Sequence, residues 1–186
     1  MEMDKGLYPN AKVNLKGLIS HVRKCIAEKY SLPLESCVVT ESHYFQGRFR
    51  AHDAKQKNKL ESDRRFEDVL IENDVVFHYK HIREMEDGSI KEKGIDVWFA
   101  LETYELAVYR DFDFVVLVTG DADHEMLARK IKSLKKPVVL VTWNFAEKDS
   151  TAPALREEVT FHIDLNAQLK ATPELINKIS QAASKL

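Results

Sequence analysis

The sequence predicts an α/β fold in which a mostly parallel sheet has helices packed on both of its faces. Two observations support this prediction. Strand-like apolar runs alternate with helical segments along the whole chain, as in sheets built from strand–helix–strand units. The run FVVLVT before Gly120 also lacks polar alternation, which is expected of a strand covered on both sides.

The first predicted helix runs from Leu15 to about Tyr30. Asn14 has a side chain suited to cap its N-terminus, and Ser31-Leu32-Pro33 is expected to end it. The apolar residues recur at helical spacing and form one face. They are Leu15, Leu18, Ile19, Val22 and Ile26.

Residues 37–82 are predicted to form two strands around a polar, basic segment. CVVTESHYF at 37–45 is rich in β-branched and aromatic residues, which favours a strand. Residues 47–65 are expected to form a loop or an exposed helical excursion, and residues 65–72 have helical spacing. DVVFHYKHI at 74–82 is the second strand, and the turn MEDGS at 85–89 follows it.

The second half of the chain alternates helices with apolar strands. Each strand is short and rich in Val, Ile or Leu, and each helix has apolar residues at helical spacing. The predicted elements are a helix opened by Asp96, a strand at 114–119, a helix at 124–134, strands at 137–143 and 159–165, and a terminal helix at 173–186.

Composition and charge limit the classes of protein. The chain has 186 residues, of which 44% are hydrophobic and 31% charged, which is typical of one soluble globular domain. Residues 1–65 hold 13 Lys and Arg against 8 Asp and Glu, a balance of +5, whereas residues 66–186 have a balance of −7. The net charge of −2 excludes a generic polyanion binder, but the asymmetry suits phosphate contacts beside an acidic metal site. We expect residues 1–150 to form the main domain and residues 151–186, a strand and a helix, to pack on it.

The two cysteines and the hydropathy indicate a cytoplasmic protein. Cys25 and Cys37 form no CxxC pair and no zinc spacing, which is typical of buried thiols in a reducing compartment. No apolar run approaches membrane-spanning length, and the N-terminus lacks the apolar core of a signal peptide.

Three carboxylates are expected at one edge of the predicted sheet. Asp121 and Asp123 follow the third strand, and Asp96 begins the helix that follows the second strand. Ligands bind beyond the carboxyl ends of parallel strands, and clustered carboxylates are tolerated when a divalent cation neutralises them. Oxygen-only ligands favour Mg²⁺ or Mn²⁺. The alternative is that Asp96 and Asp123 are helix N-caps and nothing more.

Other polar side chains are candidates for supporting or binding roles. The Thr119 hydroxyl is suited to hydrogen-bond a ligand carboxylate or water. The histidines share no ligand spacing, although His124 adjoins Asp123 as a polar contact near the site. A basic tract is interleaved with Phe49 and His52, so bases could stack on these rings while cations hold the phosphates of single-stranded RNA; the alternative is a solvated loop. The RNA-binding candidates in this tract are Arg48, Arg50, Lys55 and Lys57.

Two motifs stand at a characteristic separation. Lys93-Gly94-Ile95-Asp96 begins KGIDVWFALETYELA, and Thr119-Gly120-Asp121-Ala122-Asp123 lies within FDFVVLVTGDADHEMLARKIKSL. Over about residues 12–145 the chain resembles the NYN domain family, in the LabA-like branch of the PIN-like nucleases. Members typically show KG-[IV]-D at the start of one helix and [ST]-G-D-x-D between a strand and the next helix. The pair of motifs is more specific than either motif alone.

The resemblance implies a three-layer, Rossmann-like (PIN-like) fold and a Mg²⁺- or Mn²⁺-dependent ribonuclease that cleaves RNA phosphodiesters. On this interpretation Asp96, Asp121 and Asp123 hold the ion, directly or through water. Thr119 supports these ligands, and an ion-bound water attacks the phosphodiester.

The start of the chain departs from the family pattern. Members normally begin with an apolar strand that ends in a metal-binding Asp, whereas this chain begins MEMDKGLYPNAKVNLKGL. Either the start is shortened or this member has lost the strand and its carboxylate. A lost central strand would expose sheet edges that a second copy could cover, as a homodimer. The alternative function is therefore a non-catalytic RNA-binding or regulatory protein that lacks the first-strand Asp.

Overall fold

The computed structural model divides into two compact units, which are described separately. The large unit comprises residues 1–38 and 103–186, and the small unit comprises residues 39–102. The structure describes residues 11–56, 58–84, 90–91, 93–143 and 151–182.

Helices and strands are interspersed along the chain. The strands are β1 (Ala11–Val13), β2 (Ser42–Arg48), β3 (Val75–His81), β4 (Arg83–Glu84), β5 (Ile90–Lys91), β6 (Val115–Val118), β7 (Val138–Thr142), β8 (Phe161–Asp164) and β9 (Ser180–Ala182). The α-helices are α1 (Leu15–Tyr30), α2 (Ala51–Gln56), α3 (Leu60–Glu72), α4 (Ile95–Tyr109), α5 (Glu125–Ser133), α6 (Pro153–Glu158), α7 (Leu165–Ala171) and α8 (Ile176–Ile179). Short 3₁₀ turns cover Leu34–Ser36, Ala122–His124 and Pro173–Leu175.

A three-stranded parallel sheet, in the order β6-β7-β8, forms the centre of the large unit. Residues 138–141 of β7 are completely buried, because strands and helices surround the middle strand. The core cluster joins α1, β7, β8 and α7. Its buried members are Leu18, Val22, Cys25, Ile26, Val139, Val141, Ile163 and Leu165. Helix α5 also packs against β7, and its Leu127, Ala128 and Ile131 are buried.

Helix α1 has the predicted bounds because its signals are local. The Asn14 side chain accepts a hydrogen bond from the Gly17 N–H at 3.1 Å, which is the predicted N-cap. Ser31 takes the left-handed conformation with φ of 53° and ends the helix. Leu18, Val22 and Ile26 face the core, as their spacing predicts.

Strand β6 differs from the prediction in its burial. Leu117 is 1% exposed, but Val116 and Val118 are 39% and 44% exposed, so the expected cover on both sides is wrong for this strand. Strand β7 is the one that is buried throughout. A uniformly apolar run therefore marks a strand without showing which of its faces is covered.

The predicted terminal helix at 173–186 is wrong over residues 173–182, and residues 183–186 lie outside the described part of the chain. A 3₁₀ turn and the four-residue helix α8 are followed by β9, which pairs antiparallel with β1. The Asn14 N–H donates to the Ile179 carbonyl at 2.9 Å, so the end of α8 is tied to the start of α1. The pairing with β1, about 170 residues away in sequence, extends the backbone where the local pattern favours a helix.

The small unit contains a parallel pair, β2 and β3, between two helices. Tyr44 contacts Phe66 of α3, with ring centroids 5.1 Å apart, whereas the next residue, Phe45, contacts Phe99 of α4 at 5.3 Å. Because successive residues of a strand point to opposite faces, α3 and α4 lie on opposite sides of this pair.

Strand β2 begins later than predicted. It starts at Ser42 and not at residue 37, because β3 supplies hydrogen-bonding partners only from Ser42 opposite Val75 to Arg48 opposite His81. Val38 and Val39 precede the paired segment and are exposed. The segment at 47–65 contains α2 and the start of α3, which agrees with the helical alternative.

The predicted α/β class with parallel strand pairing is confirmed. In the described ranges, antiparallel pairing is limited to the short β1–β9 and β4–β5 ladders. The turn predicted at 85–89 lies outside the described residues, and a domain boundary at residue 150 stays a prediction. None of the helices in the described part of the chain is both long enough and apolar enough to span a bilayer.

Candidate active site

The loop that follows β6 holds the two carboxylates predicted from the TGDAD motif. Asp121 has an extended backbone, with φ of −76° and ψ of 130°, and caps the 3₁₀ turn Ala122–His124. Its Oδ1 atom accepts a hydrogen bond from the Asp123 N–H at 3.0 Å. Both side chains are exposed to solvent at the carboxyl end of the strand. The loop therefore presents two oxygen ligands close together in sequence and held by a short turn.

The Thr119 hydroxyl has two hydrogen-bonding partners within this loop. Its Oγ1 atom accepts a hydrogen bond from the Asp121 N–H at 3.2 Å and lies 3.0 Å from Nδ1 of His124. The sequence predicts a ligand carboxylate or water as the partner of Thr119, whereas the observed partners are the Asp121 backbone and an imidazole. Thr119 is thus bonded to the main chain of Asp121.

A small cleft of about 140 Å³ adjoins the loop at the carboxyl ends of β6 and β7. Thr142, near the end of β7, is buried and hydrogen-bonds Nε2 of His162 at 2.8 Å. The Ala152 N–H donates to the Gly120 carbonyl at 3.2 Å, which ties the loop to the residue that precedes α6. The lining residues are Val118, Thr119, Gly120, Val141, Thr142, Trp143 and Thr151.

Asp96 lies in the small unit, whereas Asp121 and Asp123 lie in the large unit. It is exposed and occupies the first turn of α4, which begins at Ile95. Gly94 has φ of +77°, a conformation that favours glycine, and its carbonyl accepts the Trp98 N–H at 3.1 Å. The glycine of the KG-[IV]-D motif is therefore required by the backbone that enters α4.

The capping alternative is wrong for Asp123 and unsupported for Asp96. The N-caps of the 3₁₀ turn and of α5 are Asp121 and His124. Asp96 is already the second residue of its helix. Both carboxylates do lie near helix N-termini, where the helix dipole stabilises negative charge.

The chemistry of the donors suits a hard divalent cation, because the loop offers carboxylate oxygens that are open to solvent. The described residues nevertheless contain no group of three His, Cys, Asp or Glu side chains arranged to hold one metal ion. At the TGDAD loop the large unit supplies two of the three predicted ligands, Asp121 and Asp123.

The family comparison agrees with these two motifs. Residues 6–166 match the family profile of the NYN domain. The chain belongs to the NYN domain family. This family is part of the PIN-like nuclease superfamily, and the parallel pairing of β2 with β3 and of β6 through β8 is consistent with a PIN-like fold. Comparison with curated proteins and with solved structures gave no significant match. Assignment of this NYN protein to the LabA-like branch stays a prediction.

The basic tract of this NYN domain is only partly open to a ligand. Arg48 contacts the Glu67 carboxylate, lies 3.7 Å from Asp63 and stacks over the Tyr79 ring at 4.8 Å. Its bond to Glu67 raises the pKa of the guanidinium above its usual value, and the side chain is 19% exposed. The charge of Arg48 is therefore already compensated within the small unit.

The other members of the tract differ in accessibility. Arg50 and Lys55 are exposed, and Lys57 lies outside the described residues. Phe49 is 7% exposed beneath the Lys59 ammonium, so its ring offers little surface for a base to stack on. Lys55 borders an open surface cleft of about 300 Å³ in the small unit. The residues that line this cleft are Lys55, Asn58, Leu60, Glu61 and Arg64.

The histidines share no ligand spacing in the sequence, but several of them have specific partners in the structure. His43 Nδ1 lies 3.0 Å from His78 Nε2, and the Phe45 ring stacks on His78 at 4.3 Å. Burial lowers the pKa of His78. His124 contacts the candidate site directly. The sequence indicates a role for His124 only through its position directly after Asp123 of the DxD spacing. The contact with Thr119 is not visible in the sequence, because it depends on how the turn folds.

Proposed function

We propose that the protein is a metal-dependent ribonuclease that cleaves RNA phosphodiesters at the loop 119–124. The observation that carries the proposal is the pair of exposed carboxylates, Asp121 and Asp123, held by a hydrogen-bonded turn at the carboxyl end of β6. Ligands of open parallel sheets bind at this end of the strands. Membership of a nuclease family supports phosphodiester cleavage as the reaction class.

Asp121 and Asp123 would hold Mg²⁺ or Mn²⁺ together with Asp96, whose part in the proposal rests on the sequence motif alone. When bound, the ion supplies Lewis acidity toward a phosphodiester oxygen and toward water. The chain itself orients the ligands, because the Asp123 N–H holds one Asp121 oxygen and leaves the other carboxylate oxygen available. Thr119 supports this arrangement through the Asp121 N–H.

The substrate and the location are part of the same proposal. Single-stranded RNA is the proposed substrate, with Arg50 and Lys55 as exposed phosphate contacts. Arg48 and Lys57 remain predictions from the sequence. A cytoplasmic location is favoured by Cys25 and Cys37, which are both free thiols. The homodimer stays a prediction from the sequence.

A non-catalytic RNA-binding or regulatory protein is the second candidate. In the described part of the large unit, the loop holds two of the three predicted metal ligands, Asp121 and Asp123. This number favours a protein that binds RNA without a complete metal site. The two candidates differ in one measurement, because the second predicts metal-independent RNA binding without cleavage.

Metal binding should stabilise the wild type against heat and should be required for hydrolysis of a labelled single-stranded RNA. An ion at about 100 times its dissociation constant stabilises the folded state by roughly 2.7 kcal/mol, since it binds the folded site only. The triple variant of Asp96, Asp121 and Asp123 to Asn should lose both the Tm shift with Mn²⁺ and the hydrolysis.

The chain offers a matched control for this variant. Asp111 and Asp113 have the same spacing, are exposed, and precede β6 at its opposite end. The Asp111→Asn, Asp113→Asn variant removes equivalent charges and should keep the Tm shift and the activity. Absence of a Tm shift in the wild type, or its loss in the control, would contradict the proposed site.

RNA binding should depend on Arg50 and Lys55 through their charge. In the absence of metal, the Arg50→Ala, Lys55→Ala variant should bind single-stranded RNA more weakly. The slope of log K against log salt should fall by about 0.7 for each phosphate that the variant no longer neutralises. A control that removes the exposed Lys24 and Lys130 of the large unit should leave the slope unchanged. Equal slopes in wild type and variant would identify the tract as a solvated surface.

A further inference from the structure

His124 is a buried polar residue at the base of the candidate active site. His124 is 5% exposed. It is the last residue of the 3₁₀ turn and the N-cap of α5. Burying an imidazole is costly unless its nitrogens have hydrogen-bonding partners. One of these partners is known, because Nδ1 lies 3.0 Å from the Thr119 hydroxyl.

A closed set of hydrogen bonds connects this imidazole to the Asp121 carboxylate. The Thr119 oxygen accepts the Asp121 N–H at 3.2 Å, and Asp121 Oδ1 accepts the Asp123 N–H at 3.0 Å. The backbone N–H of His124 donates to the backbone carbonyl of Asp121 at 3.3 Å, so the bonds between His124, Thr119 and Asp121 form a closed ring. The backbone and the side chain of Asp121 are therefore both held by groups that depend on His124 or on the turn that it ends.

The contact with His124 removes the rotational freedom of the Thr119 hydroxyl. A hydroxyl has one donor hydrogen and two acceptor lone pairs, and one lone pair already accepts the Asp121 N–H. If Nδ1 accepts, the hydroxyl hydrogen points to it; if Nδ1–H donates, it occupies the second lone pair. In either tautomer the side chain of Thr119 is held in the position from which it accepts the Asp121 N–H.

We propose that His124 is a positioning residue for the ribonuclease, acting through Thr119 to hold the Asp121 carboxylate in place. This inference rests on the proposed function. His124 does not need to touch the substrate or the ion for this role. Its contribution depends on the presence of the Thr119 hydroxyl, and this dependence separates positioning from a general contribution to the core.

The test compares His124→Leu with His124→Asn, Thr119→Val and the double variant His124→Leu, Thr119→Val. The Leu variant should lower kcat by about 10–100-fold with little change in KM, as expected when a partner that orients a ligand is removed. The Asn variant should recover most of the loss, because its side-chain amide can hydrogen-bond the Thr119 hydroxyl. The double variant should be no worse than Thr119→Val alone, because the two residues act as one unit.

His162→Leu is the matched control. It removes a histidine that hydrogen-bonds the buried Thr142 at 2.8 Å near the end of the neighbouring strand β7. A loss of packing near the sheet edge would affect this variant as well, whereas the positioning role predicts wild-type kcat for it. Full activity in His124→Leu, or multiplicative losses in the double variant, would overturn the inference.

Amide hydrogen exchange gives a readout that is independent of catalysis. Exchange of the Asp121 N–H, whose acceptor is Thr119, should be faster in His124→Leu than in wild type and close to wild type in His124→Asn. A wild-type protein that cleaves no RNA with Mg²⁺ or Mn²⁺ refutes the proposed function. The exchange rates then still decide whether His124 holds the loop, and unchanged exchange in His124→Leu refutes that role.

Discussion

Asp121→Asn should reduce RNA hydrolysis by at least about 100-fold, which is the upper end of the loss expected when only a partner of a metal ligand is removed. The substitution keeps the shape of the side chain and removes its charge. It should leave the free energy of unfolding nearly unchanged in excess chelator, because the amide oxygen can still accept the Asp123 N–H. Asn and Asp are equally good caps for such a turn.

Asp121→Ala is the variant that separates the two roles of this residue. It removes the carboxylate and the cap together, so it should lose activity to the same extent and also about 0.5–2 kcal/mol of stability. Initial rates on single-stranded RNA and urea denaturation with chelator measure the two effects. Comparable destabilisation of both variants would show a structural role that the single bond to Asp123 does not explain. An active Asp121→Asn protein would remove Asp121 from the site.

Gly17→Ala should destabilise the protein although it improves the helix propensity of α1. Alanine is favoured over glycine in a helix by about 1 kcal/mol. At this position, however, a Cβ atom would overlap the carbonyl oxygen of Lys178 in α8. Because the obstacle is backbone, α8 must move, and it carries the buried Ile179 and the Asn14–Ile179 hydrogen bond.

The net loss should be about 1–3 kcal/mol, the usual cost of overpacking a close contact. Urea denaturation at an unchanged m-value measures it. Ser20→Ala is the control, because Ser20 is exposed on the same helix and alanine there should be neutral or slightly stabilising. If Gly17→Ala matched or exceeded the stability of wild type, α1 and α8 would not pack as closely as described.

The parts of the fold that could be predicted are those with local signals. The bounds of α1 follow from a capping Asn14, apolar residues at helical spacing and a stop at Ser31. Strands β3, β6, β7 and β8 all lie within the apolar runs that predict them. In these segments the intrinsic preference and the tertiary structure favour the same conformation.

The start of β2 and the end of the chain could not be predicted in this way. Val38 and Val39 favour a strand as strongly as the residues that form one, but β3 offers no partner for them. Residues 180–182 continue a helical pattern, yet they pair with β1. Hydrogen-bonding partners distant in sequence decide both cases, and local periodicity does not report them.

The candidate site also has features that the sequence predicts and features that only the tertiary structure shows. The sequence by itself determined the two motifs and the DxD spacing after a strand, since each depends on neighbouring residues. Only the tertiary structure decided that Arg48 is compensated by Glu67, that Phe49 is buried and that His124 contacts Thr119. These are contacts between side chains, and their formation depends on how turns, helices and strands pack together.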